Sequence, residues 1–205
     1  TNDEAIYKFA DSYCDHGHDH VGNNRGMENH PIIGFNYRIS ELHAAVGAAQ
    51  TRKVPAIRTA NLKNKAFLQK ELSKVAGISF SKLGDDNGDS GTFLNILMPD
   101  TETAKRTVDE FNKAGVGGFN YWFTNMYHFI NQWEHIKGLK TASKLAIQVL
   151  GAPQDYNNLD IPKTQEVVGR LISFGIRCTW TEEELKTLAA KISECATKAM
   201  KPVNA

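Results

Sequence analysis

The first helical segment of the sequence limits the folds that the chain can adopt. Thr1-x-x-Glu4 has the spacing of a capping box, and it precedes a run with helical periodicity. The apolar residues that recur in this run are Ile6, Phe9, Ala10 and Tyr13. The pattern predicts an amphipathic helix at residues 2–13. Its apolar stripe needs a covering layer that no earlier element provides, so we expect the sequence to be the later part of a longer chain.

The remaining sequence alternates between helix and strand signals. A helix that follows Ser40 has a face of small apolar residues, and Pro55 ends or kinks it. The other predicted elements are a helix at 57–75, strands at 78–80, 92–98 and 116–122, helices at 101–114 and 139–150, a mixed segment at 167–176, and a final helix capped by Thr181 and Glu184. We predict a small α+β domain at residues 56–205, following the end of a larger domain at residues 1–55.

Charge and cysteine content exclude several classes of protein. The 24 Lys and Arg residues balance 23 Asp and Glu residues, which argues against a general nucleic-acid binder. No stretch approaches the roughly 18 apolar residues of a membrane span. The 3 cysteines are far apart and odd in number, so neither a disulfide framework nor a zinc knuckle is indicated. We expect a cytoplasmic protein that binds neither nucleic acid nor membrane.

Histidines and carboxylates are concentrated in residues 15–20, whose sequence is DHGHDH. His16, His18 and His20 could bind a metal, since imidazole and carboxylate suit zinc or iron. No cysteine or further carboxylate completes a known ligand spacing, and we therefore expect no metal. Two alternatives stay open for this segment: a solvated polar loop, or a loop whose histidines donate hydrogen bonds to an anionic ligand.

Two further segments carry candidate binding residues. Residues 34–42, with the sequence GFNYRISEL, place Asn36 and Arg38 before a helix N-terminus, where an anion would be stabilised. An ordinary turn with a surface ion pair is the alternative. Residues 119–135 are rich in Tyr, Trp, Phe and His, and they fit either a ligand pocket or an apolar core.

The GFNYRISEL segment, with its continuation to Gln50 and the His16-Gly17 pair, resembles the signature of the DegT-type sugar aminotransferases. These are pyridoxal-phosphate (PLP) enzymes with the α/β fold of aspartate aminotransferase, fold-type I. The resemblance implies that residues 1–55 end the large PLP-binding domain and that residues 56–205 form the small C-terminal α+β domain. It also implies a homodimer with shared active sites. The lysine that forms the Schiff base would lie upstream, leaving no catalytic residue in this chain.

The same resemblance assigns roles to individual residues. Asn36 would cross the dimer to bind the phosphate of PLP, and Arg38 would hold a substrate carboxylate at the mouth of the site. The remaining substrate-binding candidates are His16, His18 and His20 in the histidine segment, and Asn120, Trp122 and His128 in the small domain.

Several segments look most like one branch of the family. They are the DHGHDH run, the region from Trp122 to His135, and the RCTWT sequence at residues 177–181. This branch is similar to the transaminases that make 8-amino-3,8-dideoxy-octulosonate, an amino form of the lipopolysaccharide sugar Kdo. The implied reaction moves an amino group from glutamate to the C8 aldehyde of an oxidised Kdo sugar. A nucleotide-linked keto sugar as acceptor, or a non-catalytic PLP-binding relative, stays open as an alternative.

Overall fold

The computed structural model describes residues 1–82, 84–85, 87–125, 129–151 and 155–201. The chain divides into two compact units, Thr1–Val54 and Pro55–Ala205. No helix among the described residues is long and apolar enough to cross a membrane.

The first unit contains two helices, α1 (Glu4–Cys14) and α2 (Glu41–Thr51). The helix predicted at the start of the chain is confirmed, but its predicted cap is wrong. Asp3 is the N-cap, because its carboxylate accepts hydrogen bonds from the backbone of the next turn. The Thr1 hydroxyl instead accepts from the Asp3 backbone N–H.

The helix predicted after Ser40 is also confirmed, and the Ser40 hydroxyl caps it by accepting from the His43 N–H. Helix α2 stops before Pro55 is reached. A new helix, α3 (Val54–Leu72), then begins with Pro55 in its first turn. Proline is well tolerated there because the first N–H groups of a helix have no intrahelical partner.

The second unit is built on an antiparallel sheet with helices packed against it. Its elements after α3 are β1 (Ser79–Phe80), β2 (Phe93–Leu97), α4 (Thr101–Lys113), β3 (Phe119–Asn120), α5 (Glu134–Lys137), α6 (Ala146–Val149), α7 (Pro162–Arg170), β4 (Leu171–Gly175) and α8 (Glu182–Met200). The strand order is β1-β2-β4-β3, so β4 lies in the middle of the sheet although it is last in the chain. The α+β architecture matches the expectation for this region.

One face of the sheet forms the core of the second unit. In the register of β2 and β4, Leu94 stands opposite Phe174 and Ile96 stands opposite Ile172, and all four side chains are buried. Helices α4 and α8 pack in the same core; their fully buried members include Phe111 and Ile192. The predicted capping box of α8 is confirmed, because the Thr181 and Glu184 side chains bond reciprocally to each other's backbone N–H.

Two predicted elements of the second unit are shorter or divided. The helix predicted at 139–150 is wrong: α5 ends at Lys137, and Leu139 has a left-handed φ of 49° that a helix cannot continue through. The helix resumes as the single turn α6. The strand predicted at 116–122 is reduced to β3, which follows a Gly118 with a φ of 76°.

The mixed signals of residues 167–176 have a simple structural origin. Helix α7 ends at Arg170, and strand β4 begins at the next residue. A single window of sequence therefore contains the end of one helix and a complete buried strand.

Candidate active site

A backbone contact joins the end of α1 to the loop that precedes α2. The Phe35 N–H donates to the Tyr13 carbonyl at 2.8 Å, and the Phe35 carbonyl accepts from the His16 N–H at 3.1 Å. Asp15 and Asn36 consequently face each other as an isolated antiparallel bridge. The histidine segment and the Asn36 loop are predicted separately from the sequence, and this contact brings them together.

Two glycines allow this close approach. Gly17 has a φ of 92°, and a Cβ atom added to it would lie 2.0 Å from the Ile32 carbonyl oxygen. A Cβ atom on Gly34 would lie 2.5 Å from the Gly17 nitrogen. Neither position has room for a side chain, so glycine is required at both positions for steric reasons.

The carboxylate of Asp15 is the centre of the polar contacts in this region. Its Oδ2 atom accepts hydrogen bonds from Arg25 Nη2 at 2.7 Å and from His20 Nε2 at 3.1 Å. Its Oδ1 atom lies 3.3 Å from Arg38 Nε. The hydrogen bond from Arg25 is the main reason that the pKa of Asp15 falls from 3.8 to about 2. Asp15 is therefore an anion that holds two guanidinium groups.

His20 lies between two carboxylates. Its Nδ1 atom is 2.6 Å from Asp11 Oδ2, and its Nε2 atom is 3.1 Å from Asp15 Oδ2. Both ring nitrogens can donate only when the imidazole is protonated. The hydrogen bond with Asp11 is the main reason that the pKa of His20 is raised from 6.5, and the hydrogen bond with Asp15 raises it further.

The other two histidines of the segment differ in their surroundings. His18 Nδ1 is 2.9 Å from Glu28 Oε2, and His18 Nε2 is 3.3 Å from His30 Nε2. The exposed His16 imidazole makes no hydrogen bond or ion pair with any residue in the described part of the chain. His16 is thus available to a ligand without breaking an internal contact, whereas His18 and His20 are not. Their proposed contacts with substrate stay predictions.

Asn36 and Arg38 interact with each other. Asn36 Oδ1 accepts from both the backbone N–H and the Nε of Arg38, each at 3.2 Å. Within the described residues, Asn36 Nδ2 and the two Nη groups of Arg38 make no hydrogen bond. The loop thus presents unused amide and guanidinium donors, which is the chemistry that an anionic group requires.

In the second unit, the candidate residues Asn120 and Trp122 adjoin a polar row on the sheet. Asn120 in β3 stands opposite Ser173 in β4, which stands opposite Asn95 in β2. Trp122 Nε1 donates to Ser173 Oγ at 3.0 Å, and Ser173 Oγ donates to Asn95 Oδ1 at 2.7 Å. This row lies on the face of the sheet opposite the apolar core. The candidate His128 lies outside the described residues.

The sequence pattern indicated the segment that contains Asp15, but it did not predict that Asp15 pairs with two arginines and a histidine. One signal could have identified it, because Asp15 follows α1 directly and the C-terminus of a helix disfavours a negative charge. A carboxylate at that position needs cationic partners. Ser173 gave no comparable signal, since its partners come from strands that are distant in sequence.

No group of three or more His, Cys, Asp or Glu side chains in the described ranges is arranged to hold a metal ion. The Asp15 carboxylate is instead close to Arg25, Arg38 and the His20 imidazole, and Asp19 Oδ1 accepts a hydrogen bond from the Val21 backbone N–H. The expectation that no metal binds stays a prediction.

The chain is similar to known aminotransferases in sequence and in fold. Residues 1–193 match the model of the DegT/DnrJ/EryC1/StrS aminotransferase family. An aminotransferase from Psychrobacter cryohalolentis has 18% identity and a TM-score of 0.72 over 98% of this chain and 51% of that chain. The Helicobacter pylori aminotransferase PseC, involved in pseudaminic acid biosynthesis, has 16% identity and a TM-score of 0.67 over 97% and 48%.

A third solved structure is the PLP form of the putative sugar aminotransferase Spr1654 from Streptococcus pneumoniae. It has 14% identity and a TM-score of 0.66, and the match covers 98% of this chain and 46% of that chain. The chain thus spans about half the length of the structures that it matches. At these identities the likeness establishes the fold alone, namely part of the fold-type I α/β architecture.

Proposed function

The chain belongs to the DegT/DnrJ/EryC1/StrS aminotransferase family, and from this premise we propose that the intact protein is a PLP-dependent sugar aminotransferase. The match over residues 1–193 includes both units. The structural observation that carries the proposal is the loop at Asn36 and Arg38, whose unused donors precede the N-terminus of α2.

The donor chemistry of this loop fits the phosphate of PLP. The Asn36 amide can donate hydrogen bonds, and Arg38 remains charged at every physiological pH. The first N–H groups of α2 add positive potential nearby. When bound, PLP would supply the electron-accepting ring that carries an amino group from donor to acceptor. This chain would bind and orient its phosphate through Asn36, in the active site of a partner subunit.

The proposed substrates both carry carboxylates. Glutamate would be the amino donor, and the C8 aldehyde of an oxidised Kdo sugar acid would be the acceptor. Arg38 and the exposed His16 offer donors to such groups, and each hydrogen bond to a charged group contributes about 1.5–3 kcal/mol. Asn120 and Trp122 stay candidates for binding the sugar.

Exposed apolar side chains support the proposed homodimer. Ile33 is 88% exposed and Leu42 is 75% exposed, on either side of the Asn36 loop. Other large apolar residues exposed in this segment are Phe35, Tyr37, Ile39 and Val46. Several large exposed apolar side chains within one short segment are typical of an interface. We propose that a second subunit covers it in a cytoplasmic dimer, so that the loop reaches the partner's cofactor.

The proposed reaction can be tested with the intact protein, including its upstream sequence. Purified enzyme should show the absorbance of bound PLP, and adding glutamate should bleach this band as the amino group is transferred. The aldehyde form of Kdo and a nucleotide-linked keto sugar should then be compared as acceptors. Turnover of the Kdo aldehyde with release of 2-oxoglutarate would support the full proposal.

The alternatives predict different results in the same assays. Preference for the nucleotide-linked sugar would keep the aminotransferase activity but contradict the Kdo substrate. A PLP band that glutamate leaves unchanged would indicate a passive cofactor-binding protein. An intact protein with no lysine in the PLP-binding position upstream would contradict the enzymatic proposal.

A further inference from the structure

Asp15 is a buried carboxylate with one oxygen that lacks a hydrogen-bond donor. Its side chain is 6% exposed, and both of its hydrogen bonds from side chains go to Oδ2. The Oδ1 atom is buried and accepts no hydrogen bond from the residues that the structure describes. An unsatisfied buried oxygen costs free energy, and it costs more when the group is charged. The nearest cation available to satisfy it is Arg38, whose Nε atom lies 3.3 Å away.

Arg38 Nε lies between two acceptors. It donates to Asn36 Oδ1 at 3.2 Å and is almost equally close to Asp15 Oδ1. A small rotation of the guanidinium group would therefore exchange one acceptor for the other. In the observed arrangement the Nη groups of Arg38 make no hydrogen bond to the described residues.

From this geometry we propose that Asp15 is a positioning residue, which orients Arg38 and, through Arg38, the Asn36 amide toward an anionic oxygen group. The inference rests on the proposed function, in which that group is either the cofactor phosphate or a substrate carboxylate. Asp15 touches neither of them. It acts by fixing the Nε edge of Arg38, so that the Nη donors and Asn36 Nδ2 remain free for the ligand.

The charges around Asp15 explain why this position needs a carboxylate. Arg25 and Arg38 approach the same side chain, and His20 adds a third positive charge when its imidazole is protonated. Without an anion between them, these cations would repel one another. Asp11 pairs with His20 on the far side of the imidazole ring, and Glu28 adds a negative charge that acts on Arg25 and His20 without forming an ion pair with either of them. Among the described residues, Asp15 is the carboxylate within ion-pair distance of Arg25, His20 and the Arg38 of the loop.

Comparing Asp15→Asn with Asp11→Asn in the full-length holoenzyme tests this role. Both variants remove one carboxylate partner of His20, but only the first also removes the carboxylate that pairs with Arg25 and Arg38. We expect Asp15→Asn to raise the Kd for PLP or the KM for glutamate and the sugar acid by roughly ten- to hundredfold. Asp11→Asn should change each constant by less than about fivefold. Equilibrium dialysis gives the Kd for PLP without relying on turnover.

The two measurements distinguish the possible ligands. A change confined to the Kd for PLP would assign the positioned donors to the cofactor phosphate. A change confined to KM, with kcat altered much less, would assign them to a substrate carboxylate. Equal effects of Asp15→Asn and Asp11→Asn on all constants would overturn the positioning role.

A second comparison separates positioning from a general structural role. In an Arg38→Ala background, Asp15→Asn should have little further effect, because the residue through which it acts is already absent. The same fold loss in both backgrounds would refute the proposal. If Asp15→Asn does not fold, Asp15→Glu keeps the charge and should retain most of the affinity; a full loss in a folded Glu variant would overturn the role.

The controls also separate this inference from the proposed function. Suppose that the wild-type holoenzyme binds PLP and transfers amino groups, and that the Asp15 variants behave like the Asp11 variants. This result would overturn only the role of Asp15. Wild-type protein that binds no PLP and transfers no amino group would overturn both.

Discussion

Replacing Asn36 is the most direct test of the proposed cofactor loop. The Asn36 Oδ1 atom accepts two hydrogen bonds from Arg38, and its Nδ2 atom has no hydrogen bond among the described residues. Asn36→Ala removes both functions. Asn36→Asp keeps an oxygen acceptor for Arg38 but replaces the free donor with a second, negatively charged oxygen. The pair therefore separates support of Arg38 from donation to the phosphate.

The expected losses follow from hydrogen-bond and charge energies. One hydrogen bond to a charged phosphate contributes about 1.5–3 kcal/mol, so we expect Asn36→Ala to raise the Kd for PLP roughly tenfold or more. In Asn36→Asp the carboxylate would also repel the phosphate. Two like charges about 4 Å apart at an effective dielectric constant near 20 repel by about 4 kcal/mol, an upper value because solvent screens exposed groups.

Equilibrium dialysis of PLP against the intact protein measures this effect directly. Asn24→Ala is the matched control, because Asn24 caps a short helical turn through Gly26 and lies outside the loop. We expect cofactor affinity to fall in the order wild type and Asn24→Ala, then Asn36→Ala, then Asn36→Asp. Wild-type affinity in Asn36→Asp would refute the reasoning, and so would stronger binding by Asn36→Asp than by Asn36→Ala.

Three further predictions concern the same unit of the intact protein. Gly17→Ala should lower the thermal midpoint, because its Cβ would meet the Ile32 carbonyl at 2.0 Å and its φ is 92°; an unchanged midpoint would contradict the required close approach. Asp11 and Asp15 raise the pKa of His20. The stability that protonated His20 adds to the folded state should therefore be fully present below pH 6.5 and should be lost as the pH rises through the raised pKa. Melting curves of wild type and His20→Gln should therefore converge at alkaline pH; a constant difference would contradict this assignment. Dialysis against a chelator should leave aminotransferase activity unchanged, and a loss that zinc restores would show that the histidine segment binds metal.

Local patterns of sequence were sufficient for several elements of this protein. The periodicities of α1 and α8 predict both helices, since an apolar stripe and a capping residue are properties of neighbouring positions. The Asn36–Arg38 segment could be recognised for the same reason, because its residue types and spacing are contiguous in the chain. The exact cap of α1 was missed because Asp3 and Thr1 both suit that role, and only the backbone geometry distinguishes them.

Tertiary structure decided the features that depend on distant residues. The position of β4 between β2 and β3 arises from strand pairing across long segments, which local periodicity does not encode. The contacts of Asp15 likewise require Gly17 and Gly34 to bring two loops together, so that Arg38 approaches a carboxylate from another part of the chain. The sequence by itself thus identified the family and predicted a binding role for the Asn36–Arg38 loop, because both depend on contiguous residues. Only the structure showed that Asp15 is buried and pairs with Arg25, His20 and Arg38, because burial and charge pairing exist only after the chain has folded.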